Sequence, residues 1–138
     1  MKIAIGFEGS ANKLGVGIVS SDGKILANVR DTYITPPGTG FLPRETGQHH
    51  GNFIMSLTIK ALQVAKITPK QIDCICYTKG IFLFSYSFFY YHLGPGIAVP
   101  LMTVAVFVRT LAQLWKVPII PVNHCVARLL LFLLSLLC

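Results

Sequence analysis

Two short apolar runs, Ile3 to Phe7 and Leu14 to Val19, bracket the segment Glu8-Gly9-Ser10-Ala11-Asn12-Lys13. Runs of that length separated by small and polar residues read as neighbouring strands joined at a tip. The pattern therefore opens the chain with an antiparallel pair. The small residues at the tip leave backbone N–H groups open to an anion. An acid-Gly-Ser turn of this kind reads in two ways, as a phosphate-holding loop or as a plain hairpin tip.

A third strand signal, Lys24 to Asn28, follows the Ser21-Asp22-Gly23 turn and extends the pair to a meander. Tyr33 to Pro43 contains three prolines and two glycines, which exclude helix or central strand and predict an ordered loop or lid. From His49 to Lys66, Phe53, Ile54, Leu57, Ala61, Leu62 and Ala65 recur at helical spacing with one apolar face. Thr68-Pro69-Lys70-Gln71 fits a capping box with proline at the first helical position, ahead of a strand from Ile72 to Tyr77. Val104 to Trp115 reads as a second helix and Val117 to Val122 as a last strand. Meander, helix, strand, helix and strand in that order predict an α/β domain.

Charge divides the 138 residues into unlike halves. All five acids and nine of the twelve Lys and Arg residues precede Gly80; after it the only formal charges are Arg109, Lys116 and Arg128. A hydrophobic content of 53% excludes a disordered chain. The net charge of +7 comes from scattered single residues, so it permits nucleic-acid or membrane contact without specifying either. Cys74 and Cys76 alternate onto one strand face and read as buried thiols of a reducing compartment rather than half of a zinc site. The first eight residues lack the long apolar stretch of a signal peptide.

Several polar residues have a chemical and a plain reading. His49 and His50 point about 100° apart on a helix, which suits capping or solvation better than joint ligation of one metal. His124 follows a strand at the end where α/β proteins place ligands, and reads either as a metal ligand or as a hydrogen-bonded structural histidine. Thr78-Lys79-Gly80, also at a strand end, reads as a phosphate neighbour or as a loop. Between Lys79 and Arg109 lie 29 residues without formal charge, enough to span a bilayer. His92, Gly94-Pro95-Gly96 and Pro100 within them argue against a span, because backbone groups would go unsatisfied in hydrocarbon.

Four separated segments carry a family resemblance: Gly6 to Lys13, Thr35 to Pro43, Ile72 to Gly80 and Val122-Asn123-His124-Cys125. In this order they resemble the eukaryotic tRNA N6-adenosine threonylcarbamoyltransferases, the catalytic subunits of the KEOPS complex, once described as O-sialoglycoprotein endopeptidases. The resemblance implies the first lobe of an actin-like ATPase α/β fold, left incomplete, formed by residues 1–80 and 95–128. It implies transfer of threonylcarbamoyl from threonylcarbamoyl-adenylate to a tRNA adenosine beside the anticodon, with that adenylate or ATP as nucleotide ligand. Phosphate contact would fall to Gly9, Ser10 and Asn12. A divalent metal would be held in part by a His-x-x-x-His motif whose first histidine matches His124. The implied partners are tRNA, a small atypical kinase subunit and small accessory subunits, in cytoplasm and nucleus, with no membrane.

The chain departs from that pattern at three places. Arg128 stands where the second histidine would fall, and a guanidinium has no lone pair for a metal. Residues 81–94 interrupt the run from Thr78-Lys79-Gly80 into Pro95-Gly96. Nothing corresponds to the family's second lobe, so the isolated chain is expected to be inactive. Ile81 to Gly94 and Leu129 to Cys138 are rich in Phe, Leu, Ser and Tyr, which pyrimidine-rich codons encode, and read as translated intron. Sequencing the gene and its transcript tests this: an exon for residues 81–94 bounded by introns on both sides excludes it.

Overall fold

The computed structural model describes residues 1–80 and 96–124. The 81–94 insertion, the 129–138 tail and Arg128 lie outside the described residues. Strands β1 (Ile3–Glu8), β2 (Lys13–Ser20) and β3 (Ile25–Thr32) form the expected meander. Helix α1 (Pro43–Ala65), a 3-10 turn (Pro69–Gln71), β4 (Cys74–Lys79), α2 (Ala98–Trp115) and β5 (Ile119–Asn123) follow. The sheet order is β3-β2-β1-β4-β5, antiparallel through β1 and parallel from β1 to β5.

Period-two alternation sends Ile3, Ile5, Phe7, Leu14, Val16, Ile18 and Ile75 to one face. There they meet Ile54, Leu57 and Ala61 of α1 and Val104, Val108 and Leu111 of α2 in a single core. The opposite face carries small residues, Ala4, Gly6, Gly15, Gly17, Cys74 and Cys76, all half-buried. The two cysteines share a strand face, as their spacing predicts, but are half-buried rather than buried.

Helix α1 begins six residues before the predicted His49. Pro43 takes a first-turn position, where its missing N–H costs nothing. The loop with three prolines therefore gives its last one to the helix. Both helices end on a lysine in the left-handed region, Lys66 and Lys116, each at φ 55°. Ile67 and Val117 then donate their N–H groups back to Leu62 and Ala112, each at 3.1 Å, satisfying carbonyls of the last turn. In the 3-10 turn the predicted capping box is present, with the Thr68 N–H donating to Gln71 Oε1 at 2.8 Å.

The two helices pack tightly at Gly47, where a Cβ would lie 2.7 Å from Val99 Cγ1. Gly47→Ala is expected to cost about 1–2 kcal/mol by overpacking, despite alanine's better helix propensity. Gly51 is its control, because a Cβ there meets Thr103 Cγ2 at an ordinary 3.6 Å. Gly51→Ala should stabilise by about 0.5–1 kcal/mol, and urea denaturation of both variants checks the contrast.

Helix α2 is long and apolar enough to cross a membrane by length and composition, a property shared with core helices of soluble domains. A third of it is buried, through Pro100, Leu101, Val104, Val108, Leu111 and Ala112.

Candidate phosphate loop at the sheet edge

Parallel pairing of β1, β4 and β5 brings three chemically distinct segments to one edge of the sheet. Phe7 is level with Tyr77 and Tyr77 with Pro121, so the β1–β2 tip, Thr78-Lys79-Gly80 and Asn123-His124 follow at neighbouring strand ends. Carboxyl ends of adjacent parallel strands are where open α/β sheets place ligands. Gly9, Ser10 and Asn12 all lie in the tip. His124 stands two strands away, roughly 10 Å across the edge by strand spacing.

The tip is fixed from three sides. Its Gly9 packs against both helices: a Cβ there would come within 2.6 Å of Val104 Cγ2 and 2.9 Å of His50 Cδ2. Ser10 is only 5% exposed and its carbonyl accepts the Ile97 N–H at 2.6 Å, just before α2 begins. Gly96, at φ 109°, adopts a conformation that L residues rarely take, and a Cβ there would lie 3.0 Å from Ser10 Cβ. The N-terminus of α2 is thereby held against the loop, adding the positive end of its dipole to the edge.

The Ser10 N–H is not open, contrary to the sequence reading of the tip. Glu8 Oε1 accepts it at 2.8 Å and also accepts the Ser10 hydroxyl. The other carboxylate oxygen, Oε2, accepts the Thr78 hydroxyl, tying β1 to β4. Glu8 thus occupies the anion-seeking groups of the tip with its own negative charge. An acid two residues before a serine at a strand end is the local sequence signal for such a closure, and Glu8 and Ser10 carry it. Asn12 holds its own backbone through the Tyr33 N–H, which donates to its carbonyl at 2.9 Å. Its side-chain Oδ1 is buried and unpartnered among the described residues.

His49 and His50 are not at a helix start, because α1 has already run six residues. His50 is fully buried beneath Gly9 and His49 lies over it, so the capping or solvated reading fails for this pair. The His49 side chain joins Asp31 through Nε2 at 2.8 Å and His50 through Nδ1 at 3.2 Å. His50 Nε2 has no partner among the described residues. Burial lowers the His50 pKa from the ordinary 6.5, and the neighbouring His49 lowers it further. Since the unfolded chain then binds the proton more readily than the folded one, stability is expected to fall as pH drops below about 6.5. His50→Gln should remove that component, read as a flatter dependence of urea midpoint on pH between 7 and 5.

His124 is 6% exposed, and its Nδ1 is unpartnered among the described residues. It suits one ligand of a metal, but among the described residues no group of three His, Cys, Asp or Glu side chains stands together. Those residues do not make up a metal centre. Cys74 and Cys76 are free and half-buried, and burial and the neighbouring Cys74 push the Cys76 thiol up to about 11.

The tRNA N6-adenosine threonylcarbamoyltransferase (TsaD) family model matches residues 24–80 and 86–134. A probable tRNA N6-adenosine threonylcarbamoyltransferase from Dictyostelium discoideum is 53% identical over 129 residues, which are 94% of this chain and 34% of that protein. The Homo sapiens tRNA N6-adenosine threonylcarbamoyltransferase is 50% identical over the same shares. The chain spans about a third of the length of the curated relatives it matches. Among solved structures, YeaZ from Pseudomonas aeruginosa superposes with a TM-score of 0.62 at 14% identity, over 89% of this chain and 43% of that one. RuvC from Thermus thermophilus follows at 0.51 and 12% identity, over 91% and 66%. Those likenesses speak to fold alone, and the fold is part of an actin-like α/β architecture. By the family match and the identities together, the chain belongs to the tRNA N6-adenosine threonylcarbamoyltransferase family.

Proposed function

We propose that this chain carries the nucleotide-phosphate half-site of a tRNA threonylcarbamoyltransferase and does not complete the transfer alone. The observation that supports this reading is the tip Gly9 to Asn12, held rigid against the start of α2 at the carboxyl ends of three parallel strands. In the family reaction the tRNA adenosine N6 attacks the carbamoyl carbonyl carbon of the adenylate, and the phosphate leaves with AMP. A loop that holds that phosphate stabilises the charge developing on the leaving group.

Within this chain Gly9 lets the backbone approach closely, Ser10 presents a hydroxyl, and Asn12 can contact a phosphate only through its side-chain N–H, because its unpartnered Oδ1 is an acceptor. Lys79, exposed at the end of β4, adds a cation to the same edge. Glu8 must release Ser10 before an anion can take the N–H it now fills. A divalent metal would polarise phosphate and carbamoyl oxygens. His124 alone does not hold one, and no step is assigned to it.

The purified full chain should bind ATP and lose that binding in Gly9→Val. Supplied with tRNA, threonylcarbamoyl-adenylate, divalent metal and the family's kinase and accessory subunits, it should transfer nothing. Absence of ATP binding would overturn the half-site, and turnover would overturn the assignment of inactivity. A second reading, a non-catalytic subunit-binding fragment, draws on exposed apolar side chains of both helices, Met55, Ile59, Met102 and Val106. It predicts retained capture of the accessory subunits whether or not ATP binds.

A further inference from the structure

Parallel strand pairs are ordinarily covered on both faces. Here β1, β4 and β5 pair in parallel, and both α1 and α2 pack on the face that carries Ile5, Phe7 and Ile75. Among the described residues nothing lies over the other face. Its register lays out two rows across the sheet: Val19, Ala4 and Cys74, then Gly17, Gly6, Cys76 and Ile120. Neither row carries a charged side chain.

Val19 and Ile120 remain 44% and 45% exposed. They stand on β2 and β5, three strand spacings apart in the sheet order, roughly 14 Å. Between them the side chains are those of Gly, Ala and Cys, and a Cβ built on Gly6 meets nothing within 4 Å. Large residues at the sides and small ones between make an apolar trough, wide enough for one helix about 10 Å across.

The chain itself leads to this trough. His124, immediately past β5, is 6% exposed, so the chain leaves the sheet against the domain rather than into solvent. Helix α2 already fills the opposite side of β4 and β5. Residues 125–138 follow, and seven Leu with Val126 and Phe132 make nine of the fourteen, against one formal charge at Arg128. Fourteen residues in a helix would measure about 21 Å, close to the roughly 20 Å of a strand such as the six-residue β1. They fall short of the roughly 20 residues that a helical bilayer span needs.

We propose that residues 125–138 seat in this trough as an intramolecular cover, running from the carboxyl end of β5 back toward the amino ends of the strands. So placed, Cys138 comes beside Cys74, the first residue of β4, while Cys125 stays at the far end. The inference stands apart from the phosphate reading of the β1–β2 tip. The occupants it competes with are a second copy of the chain and a lipid surface.

The four cysteines of the full chain report on the seat. In the wild-type monomer, isolated by size exclusion, a short bis-maleimide should join Cys138 to Cys74 within one chain, read by peptide mass mapping. Cys76, under the middle of the cover, should alkylate about tenfold more slowly than in the double variant Leu130→Asp and Leu134→Asp, whose carboxylates oppose burial of the tail. Should that variant not fold, the wild-type cross-link decides alone. Equal alkylation of Cys76 in the two folded chains overturns the proposal, as does a Cys138–Cys125 product in place of Cys138–Cys74. A Cys138–Cys74 link found only between chains, in a dimer, overturns the intramolecular seat and assigns the trough to a second copy. Flotation of the wild-type chain with phosphatidylcholine vesicles, with Cys76 freely alkylated, overturns it in favour of lipid.

Discussion

Gly9→Ala is expected to destabilise the chain by about 2–3 kcal/mol, because it forces overpacking in a closed space. The added carbon would arrive 2.6 Å from Val104 Cγ2 and 2.9 Å from His50 Cδ2, and neither can retreat. Val104 is β-branched and almost wholly buried, so it has no free rotamer, and His50 is held through Nδ1 by His49. Val104→Ala in the same chain removes the methyl that is hit first and should recover part of the loss, though it opens a cavity of its own. Gly6, in the strand that leads into the tip, supplies the contrast. A Cβ there meets nothing within 4 Å, so Gly6→Ala should be neutral or slightly stabilising. Thermal unfolding reads the difference: about 2 kcal/mol corresponds to roughly 8 °C in a domain of this size.

The second large effect falls on Glu8. Its carboxylate accepts from the Ser10 N–H, the Ser10 hydroxyl and the Thr78 hydroxyl, and both partners are 5% exposed. Glu8→Ala leaves buried donors with no acceptor and removes a tie between strands 70 residues apart in sequence. A loss of about 2–4 kcal/mol is expected, since bonds to a charged acceptor are stronger than neutral ones and unpaired buried donors carry their desolvation cost. Glu8→Gln keeps one oxygen for Ser10 and should fall between the two. Double-mutant cycles with Thr78→Val would assign the cross-strand share; coupling below about 0.5 kcal/mol would show that Thr78 contributes little.

Much of this fold is legible from the residues. The meander and α2 from Val104 onward announce themselves because alternation and 3.6-residue spacing coincide with burial on one face, whereas α2 in fact begins at Ala98, six residues before the predicted Val104. The first two turns of α1 do not, because Arg44, Glu45, Gly47 and Gln48 offer no apolar period and Gly47 reads as a breaker. What builds helix there is tertiary: Gly47 packs directly against Val99 of α2. The error then propagates to the site. Placed at a helix start, His49 and His50 look like solvated residues; placed in the second turn, His50 lies beneath Gly9. The end of β3 was missed for a related reason, since Arg30 and Asp31 on an edge strand lack the apolar alternation that marks central strands. Glu8 was visible, but its partners Ser10 and Thr78 become neighbours only once β4 lies beside β1. Gly9, Ser10, Asn12 and His124 fall at one sheet edge, and what they bind is decided by chemistry rather than by that placement.

The order of the strands also sets an order of events. β1 occupies the middle of the sheet, yet only its β2 edge can pair early, because β4 lies some 70 residues further along. On a ribosome making about 5–20 residues per second, the meander would wait several seconds with Ile3, Ile5 and Phe7 on a strand whose other edge is bare. The closing contact is a small one: the Ile3 N–H donates to Asp73 Oδ2 at 2.7 Å while the Asp73 N–H donates to the Ile3 carbonyl at 2.8 Å. Until synthesis delivers Asp73, the nascent chain presents an aggregation-competent edge, and its yield in a cell becomes a matter of translation speed and chaperone supply as much as of final stability.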